Sequence, residues 1–402
     1  MEKVQPSRFL GLDSIRGLAA LAVLFNHCYN LLPDRFQHVS LPHHFSALLD
    51  PSLLFKFTPL RMLINGRAAV IIFFVLSGFV LRPSFLRARG ERYGPYLGQR
   101  LVRLWIPCVA AILVASGLLW VIGAHPIPQV NPDFTRLVWQ TRAGWPQILG
   151  ALLASGRAGD LLMDMPLWSL VHELRISLLF PLIAVFVSRR PLVWLAAATV
   201  LRFICYRLSP DFDSATLGDS LLQTGCFVMF FVLGFVLAGD LDRIRALTAR
   251  AGTWGCGAAL ALALLMFAAP QSSAISDLLY AFGAAVVIAL TASQPWVGEA
   301  LLFKPIAWLG RVSFSLYLIH LVVVTAIVHL VYVNLGWSPH PVVLGAVILT
   351  APLIAAEIFH RLVEAPARDL SHRVYGRLAV VAGVGANGRA ADLDPPLGQE
   401  PL

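Results

Sequence analysis

Arg16 and His27 stand eleven residues apart in a segment that is otherwise almost wholly apolar: Arg16-Gly-Leu-Ala-Ala-Leu-Ala-Val-Leu-Phe-Asn-His27. Eleven residues of α-helix make three turns plus about 20°, so both side chains share one face, about 16 Å apart along the axis. An ionisable group in hydrocarbon costs roughly 2.5–3.5 kcal/mol on insertion scales unless a cavity or a partner receives it. Imidazole is the side chain suited to take a proton near neutral pH. The pair is equally compatible with a buried histidine bonded to a carbonyl and an arginine reaching the membrane surface.

Other groups share this character. Glu173 lies about a third of the way into a second apolar segment, Asp164-Met-Pro166-Leu-Trp168-Ser169-Leu-Val-His172-Glu173-Leu-Arg175. Pairing with Arg175 or His27 would remove its cost. Arg100 and Arg103 are i, i+3 neighbours at the start of another apolar run, a spacing that suits a polyphosphate or lipid headgroups. Ser77 sits in Phe73-Phe74-Val75-Leu76-Ser77-Gly78-Phe79, where Gly78 permits close helix approach. Ser313, Tyr317 and His320 fall at i, i+4, i+7 and form one polar stripe on an apolar helix. His38, His43 and His44 have no matching cysteine or carboxylate set, so they read as surface residues and no metal site is expected. The sequence contains no P-loop, dinucleotide fingerprint, G-x-S-x-G elbow or H-E-x-x-H.

The elements that must carry these groups are membrane helices. Of the 402 residues, 58% are hydrophobic and 13% charged, against about 25% charged in soluble domains. Windows of about 20 residues give ten spans: 10–32, 67–86, 101–123, 166–187, 191–208, 217–238, 252–269, 274–293, 309–335 and 341–361. The expected fold is therefore an all-α polytopic bundle. With the N-terminus inside, twenty-one lysines and arginines fall in inner segments and nine, Arg67 and Arg202 among them, in outer ones. This bias places both termini in the cytoplasm, in a cell inner membrane or plasma membrane. The net charge of +9 is thus a topology signal, and no nucleic acid is expected. The five cysteines lie in or beside apolar spans and read as free packed thiols. The first apolar run is too long for a cleavable signal and reads as an uncleaved span. Residues 1–370 form the membrane domain, and 371–402 a cytoplasmic tail, disordered over 384–402 by composition.

In this order the motifs resemble those of membrane-bound acyltransferase family 3, multi-span proteins that acylate cell-surface sugars and similar acceptors. The resemblance covers roughly residues 8–370. It rests on Leu12-Asp13-Ser14-Ile15-Arg16-Gly17-Leu18-Ala19-Ala20 with His27, the Phe73–Phe79 motif, Arg100-x-x-Arg103, Trp168-Ser169-Leu170 with Glu173, Ser313-Phe314-Ser315-Leu316-Tyr317-Leu318-Ile319-His320, and Glu364-Ala365-Pro366. The chain departs from the family pattern at Ser14, at Arg175-Ile-Ser177 and at Ala365, while Arg16, His27 and Glu173 are intact.

The resemblance implies transfer of an acyl group, most often acetyl, from a cytoplasmic acyl-CoA to a hydroxyl of a carbohydrate, glycolipid or similar acceptor. Acyl-CoA is then a donor substrate, and no bound cofactor is expected. His27 is the expected general base, with Arg16 and Glu173 completing the catalytic set. Arg100 and Arg103, with Ser77, Trp168 and Ser169, make up the donor-binding set. From a different class, a proton-coupled transporter could use the same Arg16/His27/Glu173 path, although the absence of an internal repeat counts against it. A structural membrane protein with polar packing is the third reading.

Overall fold

The computed structural model describes residues 6–31, 55, 58–88, 93–125, 127, 139, 142–209, 214–270 and 274–381. His38, His43, His44 and the stretch 384–402 lie outside them. All ten expected spans fall on helices: α1 (Pro6–Asn30), α2 (Gly66–Ala88), α3 (Tyr93–Ile122), α5 (Leu167–Arg189), α6 (Pro191–Leu208), α7 (Leu217–Gly239), α8 (Leu241–Phe267), α9 (Ala274–Ser293), α11 (Lys304–His329) and α12 (Pro341–Phe359). Shorter helices α4 (Trp145–Leu152) and α10 (Pro295–Ala300) lie between them, and α13 (Ala365–Val381) follows. Helices serve because each satisfies its own backbone hydrogen bonds where no water can. Eight of the described helices are long and apolar enough to cross a membrane. The chain is a polytopic helical membrane protein.

Local sequence fixes several boundaries. Proline opens α6, α10 and α12, where its missing N–H has no intrahelical partner to lose. Thr216 and Asp219 form a capping box at α7. Within α8 the backbone breaks at Gly252 (φ 63°, ψ −177°), a left-handed position that favours glycine. The expected span began at this residue.

Two helix crossings position the polar groups of the bundle. Where α2 meets α7, a Cβ on Gly234 would lie 1.9 Å from the Val75 carbonyl oxygen, and one on Gly78 2.0 Å from that of Phe231. Phe74, Phe180, Phe227, Phe230, Phe231 and Phe235 pack around that contact, all essentially buried. Where α1 meets α11, a Cβ on Gly17 would lie 2.4 Å from the Gly310 backbone nitrogen. Only glycine permits backbones this close.

Arg67 and Arg202, two of the cations counted in outer segments, are paired inside the bundle. Both bind Asp277 of α9, Arg67 through Nε (3.0 Å) and Nη2 (2.7 Å) and Arg202 through Nη2 (2.5 Å), and Arg202 is fully buried. The α13 helix carries residues 371–381 on from the membrane domain and packs against α3, with Leu378 and Val374 set against Gly98.

Candidate active site

The bundle has two ends. The proximal face holds the start of α1, and the distal face holds its end. Helices α1 and α11 run in the same direction from their Gly17–Gly310 contact, and this brings the polar face of one onto the polar stripe of the other.

At the proximal face lies a cavity of about 270 Å³. Its wall carries Arg16, Arg100, Arg103, Arg311 and Arg368, against the carboxylates of Asp13, Glu173 and Glu364. Arg100 Nε is buried and has no hydrogen-bond partner among the described residues, so a donor remains for a bound anion. Glu364 is held by the hydroxyl (2.5 Å) and backbone N–H (3.2 Å) of Ser315 and by His360 Nδ1 (3.0 Å). Glu173 accepts from the Ser77 hydroxyl at 2.7 Å.

Arg16, Glu173 and Phe314 also line a narrow slot that leads deeper, bounded by Phe73, Phe74, Ser169, Leu170 and Tyr317. The hydroxyls of Ser169 and Tyr317 stand 2.6 Å apart across it. One helical turn beyond Tyr317 is His320, with the two ring centres 6.0 Å apart. His320 in turn stacks on His27 at 5.1 Å.

The hydrogen bonds define the tautomers of this pair. His320 Nδ1 faces the carbonyl oxygens of Leu316 (3.0 Å) and Tyr317 (2.9 Å). Carbonyls only accept, so Nδ1 carries the proton and Nε2 is an acceptor. His27 Nδ1, 2.9 Å from that Nε2, is therefore the donor. In the neutral ring the lone pair then sits on His27 Nε2, the atom left for a substrate proton.

The sequence-selected residues separate into groups. Arg16, Glu173, Ser77, Arg100, Arg103 and Ser313 meet at the proximal cavity. Ser169 and Tyr317 form the slot, and His27 and His320 lie beyond it. Two expected contacts differ. Glu173 bonds neither Arg175 nor His27 among the described residues; its partner is Ser77, and the partner of His27 is His320. Arg175 instead holds Ser220, Thr224 and the carbonyls of Ala154 and Ser155. Trp168, expected with the donor set, lines a separate distal cavity, because its indole packs on Phe227 and His172 of the α5–α7 side. Asp13, Arg311, Glu364 and Arg368 were not singled out as site residues. The available signals were the i, i+3 spacing of Asp13 with Arg16 and the i, i+4 spacing of Glu364 with Arg368.

A helical bundle with an arginine-lined cavity leading to a buried histidine pair is the architecture of a multi-span membrane protein with a polar internal path. Residues 9–356 match the family model described as an acyltransferase domain, and the chain belongs to that family. It is 24% identical over 404 residues to the O-acetyltransferase OatA of Staphylococcus aureus, covering 94% of this chain and 60% of that protein. It thus spans three-fifths of the length of that relative. It is 26% identical over 405 residues to the acyltransferase MdmB of Streptomyces mycarofaciens, covering 92% and 94% of the two chains. Protein 2 in the picA locus of Rhizobium radiobacter is 26% identical over 188 residues, 45% of this chain. No solved structure matches the chain.

Proposed function

We propose that the protein transfers an acyl group, with acetyl the first to test, from acyl-CoA to a hydroxyl of a carbohydrate or similar acceptor. One observation carries this reading: a continuous polar line through an apolar bundle, from the arginines of the proximal cavity past Arg16 and Glu173 and through the Ser169–Tyr317 slot to His320 and His27. Five arginines suit the phosphates of coenzyme A. The slot is closed to about 10 Å³, with the Ser169 and Tyr317 hydroxyls bonded across it; parting that pair opens the route the thin pantetheine arm takes towards His27. His27 Nε2 takes the proton of the acceptor hydroxyl as its oxygen attacks the thioester carbonyl. The C–S bond then breaks, and the leaving thiolate receives that proton from the imidazolium. His320 fixes the His27 tautomer. Glu173, anchored by Ser77 where cavity and slot meet, sets a carboxylate beside Arg16 in the same wall. The charge bias supports a cytoplasmic proximal face in a cell inner membrane or plasma membrane, and residues 1–370 as the catalytic domain.

The experiment is thiol release from acetyl-CoA by the protein in nanodiscs, with and without added hydroxyl acceptors. Acceptor-dependent release is expected from the wild type. In His27→Ala it should fall by about 10²–10⁴-fold while the protein remains inserted. Replacing Arg100 and Arg103 together by Ala should weaken acetyl-CoA binding at least about tenfold. Unchanged donor affinity in the double variant, or wild-type turnover without His27, sinks the reading. Proton-coupled transport without thiol release would replace it.

A further inference from the structure

The bundle holds a second cavity, at its distal face, that the Arg16–His27 line does not use. It measures about 330 Å³, within the ~300–1,000 Å³ of small-molecule pockets. Its walls are anchored. Arg175 Nη2 donates to the carbonyls of Ala154 (2.8 Å) and Ser155 (2.7 Å) in the segment leading into one side, and Nη1 donates to Ser220 Oγ (2.9 Å). The Ala158 N–H donates to the Ser214 carbonyl at 2.9 Å. Gly156 in that segment has φ +64°, and a Cβ there would lie 2.3 Å from Ser220 Oγ.

The lining differs in kind from that of the proximal cavity. Arg67 is its one charged side chain among the described residues, and Asp277 takes up both its Nε and its Nη2. What faces the space besides is the Trp168 indole, the Gln223 amide, Ser214 and the apolar side chains of Leu161, Leu162 and Met165. Gln223 is only 4% exposed, and its Nε2 has no hydrogen-bond partner among the described residues. A buried donor left unpaired costs about 1–3 kcal/mol, which a ligand oxygen would recover. Behind the lining, His172 Nδ1 pairs with Thr224 Oγ1 at 2.9 Å and the ring meets Trp168 edge to face at 6.0 Å. The Arg67 guanidinium lies 5.8 Å over the Trp168 ring with its charge paired to Asp277, and the indole beside the Gln223 amide and Ser214 matches a ligand with C–H bonds on its face and hydroxyls on its edge. It does not match the polyanion that suits the other cavity.

We propose that this cavity is a subsite for a neutral hydroxylated ring of the acyl acceptor, laid against Trp168 with a ring oxygen accepting from Gln223 Nε2. The assignment to an acceptor rests on the acyl-transfer reading above; the binding of the ring does not. The test is saturation-transfer NMR on the full chain in nanodiscs, with methyl β-glucoside, methyl β-galactoside and methyl N-acetyl-β-glucosaminide as probes. At least one probe should receive saturation at its ring C–H groups from the wild type. Trp168→Ala should reduce that signal about tenfold, and so should Gly159→Trp. The latter adds bulk at a lining position where an added Cβ meets nothing within 4 Å. Trp168→Phe, which keeps an aromatic face, and Arg100→Ala, in the other cavity, should retain it. No binding of any probe by the wild type, or binding that survives both Trp168→Ala and Gly159→Trp, overturns the subsite. Acyl transfer to a glycoside with KM unchanged in both variants sinks the subsite and leaves the acyl-transfer reading. Cavity-dependent binding with no thiol release from acetyl-CoA does the reverse.

Discussion

His320 makes no use of its own basicity; it matters as the acceptor that holds His27 Nδ1–H and so leaves the lone pair on His27 Nε2. It is a positioning residue, and its variants should show it. His320→Phe keeps a ring against His27 but removes the acceptor, and turnover should drop at least about tenfold with an altered pH–rate profile. His320→Gln restores an acceptor oxygen and should recover part of the loss. Equal activity in both variants would remove His320 from the mechanism. Asp164, just ahead of α5, poses a different question. Both of its carboxylate oxygens are buried without a hydrogen-bond partner among the described residues, and burial pushes its carboxyl well above the usual carboxylate range. The folded chain therefore keeps a proton that the unfolded chain releases, so this group lowers stability as pH rises above its unfolded value. Asp164→Asn cannot ionise. In detergent its thermal unfolding midpoint should exceed that of the wild type at pH 7, and the gap should close as the pH falls towards 4. A gap that widens on acidification would contradict this.

At the scale of elements, the site depends on how closely α1 approaches α11, because His27 and His320 lie beyond the Gly17–Gly310 contact and inherit its geometry. Gly17→Val would force its side chain into Gly310 backbone atoms. Overpacking of this kind costs about 1–3 kcal/mol, and the helices should separate enough to break the 2.9 Å histidine contact. Activity should therefore fall more than the loss in unfolding midpoint accounts for. Gly117→Ala on α3 is the control: its Cβ meets nothing within 4 Å, and alanine favours a helix over glycine by about 0.5–1 kcal/mol. Comparable losses in the two variants would mean that the crossing is not what places the histidines.

For the whole molecule the decisive property is polarity across the membrane. The arginine-rich cavity and the neutral cavity open at opposite faces, so a donor and an acceptor held there would approach from opposite sides. The basic residues predict a cytoplasmic proximal face. The five native cysteines are buried or half-buried, which leaves room for reporters. Trp337→Cys, 55% exposed in the segment between α11 and α12, should react with an impermeant maleimide in intact cells. Arg377→Cys, exposed on α13, should react only after lysis. The opposite pattern would invert the topology.

The amino-acid sequence by itself determined the helices, because a backbone in hydrocarbon must bond to itself and hydropathy reports where that happens; even the break at Gly252 coincides with the start of an expected span. It also determined which residues share a helix face, since 3.6-residue periodicity is local: Arg16 with His27, and Ser313 with Tyr317 and His320. What a face meets is not local. Glu173 found Ser77, 96 residues away, and His27 found His320, 293 residues away, because glycine-mediated crossings set which helices touch and at what depth. The same packing turned Trp168 towards the distal cavity and folded Arg202 inward onto Asp277, outcomes decided by which neighbour could accept a ring or neutralise a charge. Periodicity assigns a side chain to a direction, and only the tertiary structure supplies the partner standing there.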